Sequence, residues 1–192
     1  MAYFLIFGAA FLRIVSHFAA QPPLDAISRF LPHLPNFAPI GALALFGGVY
    51  LNKKYALIIP IIAMIVADFF IGFYSPILMA FVYGSFIIIG LIGLYVKKHK
   101  NLQNVIGATL CGSVIFFLLT NFGMWAIQPY MPQAIYPQTL QGLVQSYTMG
   151  LPFFRNTLLG DLFYVGAMFG SVELAIYLKN KISIINNKKI LA

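Results

Sequence analysis

Three apolar runs, residues 55–73, 76–96 and 103–127, are each long enough to cross a bilayer, whose hydrocarbon core takes ~20 helical residues. A chain carrying several such runs has little choice of fold. In lipid every backbone polar group must be satisfied internally, which leaves helices or a closed barrel. The runs are continuous rather than alternating, which argues against a barrel. Composition agrees: 61% of the 192 residues are hydrophobic and 8% are charged. The expected fold class is all-α, a polytopic membrane protein forming a six-helix bundle in one integral domain over 1–192. Its spans are expected near 3–20, 37–51, 55–73, 76–96, 103–127 and 156–178. The second is short and glycine-rich. At ~1.5 Å per residue it barely covers the hydrocarbon, so it is expected to be sunk among the others.

The lysines orient the bundle. All nine lie in three places: 53–54, 97–100 and 179–189. These follow the second, fourth and sixth spans, so the positive-inside rule makes all three cytoplasmic, together with both termini. Residues 179–192 are then a basic cytoplasmic tail, and 21–36 and 128–155 are outer loops. A signal peptide cut near FAAQ is the competing reading of the first span. That run lacks a basic leading segment and carries Arg13 inside it. The net charge of +8 sits in short clusters between spans, so nucleic acid is not an expected partner.

Polar residues within the spans fall in the outer half of this arrangement. Arg13 and His17 are spaced i, i+4 on the first span, and Asn121 and Trp125 on the fifth. Asp68 lies near the outer end of the third. Asn156, Thr157, Asp161 and Tyr164 occupy the first two turns expected of the sixth. A charge within a span costs at least a few kcal/mol unless it faces a partner or a water-filled cavity. Arg13, Asp68 and Asp161 are therefore expected to face one another or a shared cavity. Arg155 beside an exposed helix N-terminus would make an anion site, while Asn156 would cap that helix. In the inner half, Ala44-x-x-x-Gly48, Ala108-x-x-x-Gly112 and Gly166-x-x-x-Gly170 have the spacing of close helix packing.

The outer loops suggest a cover. Segment 21–36 holds four prolines and can form a short helix carrying Asp25 and Arg29. Within 128–155, Leu140, Leu143, Val144 and Tyr147 follow i, i+3, i+4, i+7, as expected of a short amphipathic helix on the membrane surface or over the bundle mouth. The single cysteine, Cys111, excludes an internal disulfide. Walker A, HExxH and GxSxG motifs are absent, and neither a metal nor a cofactor is expected.

NFAPIGALALFGGVYL (36–51) and LPFFRNTLLGDLFY (151–164) resemble the signature blocks of an uncharacterised family of small six-span bacterial membrane proteins. TNFGMW (120–125) and Ala67–Asp68 resemble further positions of it. More remotely, the architecture resembles the substrate-binding S components of energy-coupling factor (ECF) transporters. That resemblance implies a bacterial cytoplasmic (inner) membrane protein that binds a vitamin-like molecule from outside. It also implies a membrane coupling subunit and ATPases as partners. S components often carry an Ala-x-x-x-Ala docking motif on the first helix; here that span has Gly8, Ala9 and Ala10 without such a pair.

The expected function is the substrate-binding component of a small-molecule uptake system. Its ligand would be anionic or zwitterionic and would meet Arg155, Asp161, Asp68, Asn121, Trp125, Tyr164, Asn156, Arg13 and His17. Two alternatives stay open. One is an assembly protein whose charges only lock helices together. The other is a membrane enzyme using Asp68, Asp161 and His17 for acid–base chemistry.

Overall fold

The computed structural model describes residues 2–19 and 38–190. Among these described residues six α-helices follow in order: α1 Ala2–Ala19, α2 Ile40–Tyr50, α3 Lys53–Ile71, α4 Pro76–Val96, α5 Leu102–Ala126 and α6 Leu140–Ile190. Short 3-10 turns follow α4 at Lys97–His99 and α5 at Gln128–Tyr130. No strand occurs among the described residues. The helices α3, α4, α5 and α6 are long and apolar enough to cross a membrane, and α1 and α2 are shorter apolar helices. The chain is thus an all-helical membrane protein. The helix expected around Asp25 and Arg29 lies outside the described residues.

Local chemistry sets the ends. The Asn52 side chain accepts from the Tyr55 N–H at 3.2 Å and starts α3; Asn101 does the same for α5 through the Asn104 N–H at 2.7 Å. Gly72, at φ 112°, ends α3, and Pro76 opens α4 without losing a helical donor.

The centre of the bundle is α2. Residues 40–49 are all buried, and the helix touches α1, α3, α4, α5 and α6. Close approach to α4 requires glycine on both sides. A Cβ on Gly48 would stand 2.5 Å from the Gly90 carbonyl oxygen and 2.6 Å from Gly93 Cα. Gly112 similarly meets Ile89. The expected packing at Ala44/Gly48 and Ala108/Gly112 is therefore present. At Gly166/Gly170 it is not: both are exposed, and neither would bring a Cβ within 4 Å of a neighbour. The core face of α6 runs instead through Thr157, Asp161, Val165 and Phe169 at i, i+4 spacing, which turns Gly166 and Gly170 away from the bundle.

The start of α6 differs most from expectation. The short helix expected at Leu140–Tyr147 does begin at Leu140, but it does not end before the last span: it runs on through Pro152 as one helix. Of Leu140, Leu143, Val144 and Tyr147, two face outward, Leu140 78% and Val144 56% exposed, while Tyr147 leans on α5 and donates its hydroxyl to the Leu118 carbonyl at 3.2 Å. The buried face is Gly142, Ser146 and Gly150. The Ser146 hydroxyl donates to the Asn121 carbonyl at 2.8 Å, and Gly150 lies against the Asn121 side chain. In lipid, large apolar side chains gain little by turning inward, whereas small ones let helices meet.

The lysines gather at one end of the bundle. Lys97 Nζ donates to the Leu51 carbonyl at 2.7 Å, just past α2. Lys100 pairs with Glu173 at 2.6 Å and lies 4.9 Å over the Tyr50 ring. Hydrogen bonding to Glu173 raises the Lys100 pKa. Beyond Glu173, α6 continues to Ile190 and is exposed from 173 through 184.

The glycine contacts give a sharp expectation. Gly48→Ala forces α2 and α4 apart and lowers stability by about 1–3 kcal/mol, whereas Gly166→Ala changes it by less than about 0.5 kcal/mol. Thermal unfolding in detergent checks both.

Candidate functional site

Arg13 reaches from α1 into the bundle. Its Nη2 lies 2.6 Å from Asp68 Oδ1 on α3, and its Nη1 donates to Met64 Sδ at 2.9 Å. The other Asp68 oxygen accepts from the Tyr83 hydroxyl of α4 at 2.7 Å. Asp68 is fully buried, and the Arg13 side chain is 22% exposed. One carboxylate thus ties three helices together. A buried pair of this kind gains little over apolar packing, yet loses heavily when one partner is removed.

Beside the pair lies a cavity of about 360 Å³, within the range of small-molecule sites. Arg13 and Tyr74 border one side; Thr120, Asn121 and Thr157 come from α5 and α6; Phe116, Phe117, Phe153 and Phe154 supply aromatic wall. Tyr74 sits in the turn between α3 and α4. Burial, with the Asp68 charge adding to it, pushes its hydroxyl up to about 12, so it remains a proton donor. Three of the polar groups are anchored to their own helices. Thr120 donates to the Phe116 carbonyl at 2.8 Å, Asn121 Nδ2 to Phe117 at 2.8 Å and Thr157 to Phe153 at 3.1 Å. Each keeps oxygen lone pairs for an incoming donor. Arg13 and Tyr74 therefore offer donors, and Thr120, Asn121 and Thr157 acceptors.

A narrower extension of about 30 Å³ shares Arg13, Phe116 and Thr157 with the cavity and reaches Ile40, Gly41 and Asp161. There α2 begins without a side-chain cap of its own, since its preceding residue is Pro39. Asp161 of α6 supplies the missing acceptor. It is 5% exposed, takes the Ser113 hydroxyl at 2.7 Å and stands against the first turn of α2, beside Gly41 and the Ala42 N–H. Gly41 makes room for it: a Cβ there would lie 2.5 Å from Asp161 Oδ1.

The structure brings some expected residues together and separates others. Arg13 and Asn121 line the cavity, and Asp161 lines its extension. Asp68 borders none of these spaces; it is sealed behind Arg13, so Arg13, Asp68 and Asp161 do not form one open site. Arg155 is exposed and also lines none of them. Asn156 is half-buried well inside α6. The helix N-terminus expected at 155–156, with its cap and anion site, is absent because the helix starts sixteen residues before Asn156 (156 − 140). Trp125 donates its Nε1–H to the Pro137 carbonyl at 3.0 Å and pins the α5–α6 connection instead of facing the cavity. Tyr164 packs against the core, and His17 lies half-buried on α1 with its ring edge-on to Phe18. Tyr74, Tyr83, Thr120 and Ser113 were missed. Tyr83 and Ser113 carried a legible signal, since a hydroxyl inside an apolar run needs a partner.

Removing half of the buried pair exposes its role. Asp68→Asn is expected to destabilise the protein by about 3–5 kcal/mol, and adding Arg13→Met to recover much of that loss. Unfolding midpoints of the two single variants and the double variant measure this coupling.

Residues 1–185 match the family described as DUF6580, a family of unknown function. Neither a curated protein nor a solved structure matches the chain. With nearly its whole length covered by that match, the chain belongs to the DUF6580 family.

Proposed function

We propose that this chain is the membrane-embedded, substrate-binding component of a small-molecule uptake system, with the cavity beside Arg13 as its binding site. The observation that carries this reading is the composition of the cavity wall. Donors, acceptors and four phenylalanine rings converge on a space of about 360 Å³, as small-molecule sites require. Because Asp68 already balances Arg13, a zwitterion or a weakly acidic molecule with a flat apolar body suits the site better than a strongly charged anion. The binding groups in this reading are Arg13, Tyr74, Thr120, Asn121 and Thr157. Arg155, Trp125, Tyr164, Asn156 and His17 take no direct part.

In this reading the chain crosses six times, the short α2 completing its crossing through the residues that flank it, and the lysine end with both termini is cytoplasmic by the positive-inside rule. The cavity then faces outward across a bacterial inner membrane. The remote resemblance to S components supports this arrangement and suggests a coupling subunit and ATPases as partners. A second reading, an assembly protein, is favoured by one observation: Arg13, Asp68 and Tyr83 hold three helices together without needing a ligand.

Mass spectrometry of small molecules released from gently purified protein separates the two. A compound present in stoichiometric amount, and lost from Leu78→Trp, which fills the cavity without removing a charge, supports binding. Asn121→Ala is expected to weaken retention of that compound about tenfold, the loss of one hydrogen bond of about 1.4 kcal/mol. A wild type that is empty and unresponsive to Leu78→Trp favours the assembly reading.

A further inference from the structure

Asp161 stands where α6 meets the first turn of α2 and Ser113 of α5. Among the described residues no cationic side chain lies within hydrogen-bond distance of it. Among the described residues that line the space beside it, the other charged group is Arg13 of α1, across the narrow extension, and it is already held by Asp68. The helices α2, α4 and α5 present Gly41, Ala42, Phe86, Ile89, Thr109 and Ser113. The Ser113 hydroxyl and the positive end of α2 favour the carboxylate, while removal from water without a cation favours the acid. A group held between opposed preferences changes protonation when its surroundings change slightly. Water can reach it, because the extension from the cavity, about 30 Å³, has room for a molecule or so.

We propose that Asp161 is a proton-binding site entered from the cavity, and that its protonation loosens the N-terminal turn of α2. Pro39 gives that turn no side-chain cap, and the Asp161 carboxylate is packed against it at Gly41. The neutral acid keeps an acceptor beside the Ala42 N–H but loses the charge that the helix end attracts. The same turn, through Ile40 and Gly41, borders the extension of the cavity, so proton uptake acts directly on the cavity floor. The inference stands whatever molecule the cavity takes.

The chain has three aspartates, Asp25, Asp68 and Asp161, so infrared spectra of detergent-purified protein with isotope-labelled aspartate carboxyls resolve few groups. Within the pH range where the fold persists, acidification is expected to bring up a label-sensitive carboxylic C=O band. The band should be kept in Asp25→Asn, lost in Asp161→Asn and shifted in Ser113→Ala, which removes one hydrogen bond from Asp161 and identifies the band even if Asp161→Asn does not fold. Hydrogen exchange at Gly41–Leu43 should speed up on acidification, after correction for the intrinsic rate. No titrating labelled band, or one indifferent to both the Asp161 and Ser113 replacements, overturns the site. A titrating Asp161 band with unchanged α2 exchange overturns its action on the helix.

Discussion

Everything in this bundle is arranged around a helix that ends too soon. At eleven residues, α2 is about 16 Å long, roughly half of the hydrocarbon thickness. Its ends cannot reach the headgroups on both sides, and unsatisfied backbone groups in a dry interior cost several kcal/mol each. The chain resolves this with side chains from distant parts of the sequence. Asp161 meets the positive end, and Lys97 meets the first carbonyl beyond the negative end. The glycines that let α2 and α4 touch follow from the same constraint, because a helix buried on every side needs neighbours close enough to replace lipid.

The cavity is the complement of that short helix. Where α2 stops, the axis of the bundle is left to Arg13, two threonines, Asn121 and the phenylalanines of α5 and α6. The charged pair at its edge is nearly sealed, with Asp68 buried and Tyr83 completing its hydrogen bonds. A fixed, balanced pair preorganises the wall without adding net charge, so any selectivity comes from the pattern of donors and acceptors more than from charge.

Much of this was legible in the sequence, and the reason differs from element to element. Apolar length places α3, α4 and α5 to within a few residues, because length in lipid is a direct physical requirement. Arg13 had to find a carboxylate, because an unpaired charge in an apolar run is too costly; which carboxylate was a matter of tertiary structure. Leu140, Leu143, Val144 and Tyr147 announce a helix without fixing which way it faces. Periodicity marks a face but does not say which face is inward, and in lipid the small residues Gly142, Ser146 and Gly150 took that place. The helix end expected at Arg155 and Asn156 is missing because α6 begins at Leu140 and runs through Pro152 without a break. Ser113 and Tyr83 could be suspected but not paired, because their partners lie 48 and 15 residues away.

The length of α6 has a mechanical consequence. One continuous helix carries a wall of the cavity at Gly150–Thr157, the α2 cap at Asp161 and a segment that continues past Glu173 to Ile190. From Asp161 to Ile190 is about 43 Å along the axis. A tilt of about 5° at the level of Asp161 therefore carries the far end sideways by about 4 Å. That is a lever: rearrangement at the cavity is magnified into displacement at the opposite pole of the molecule, beyond the exposed stretch 173–184.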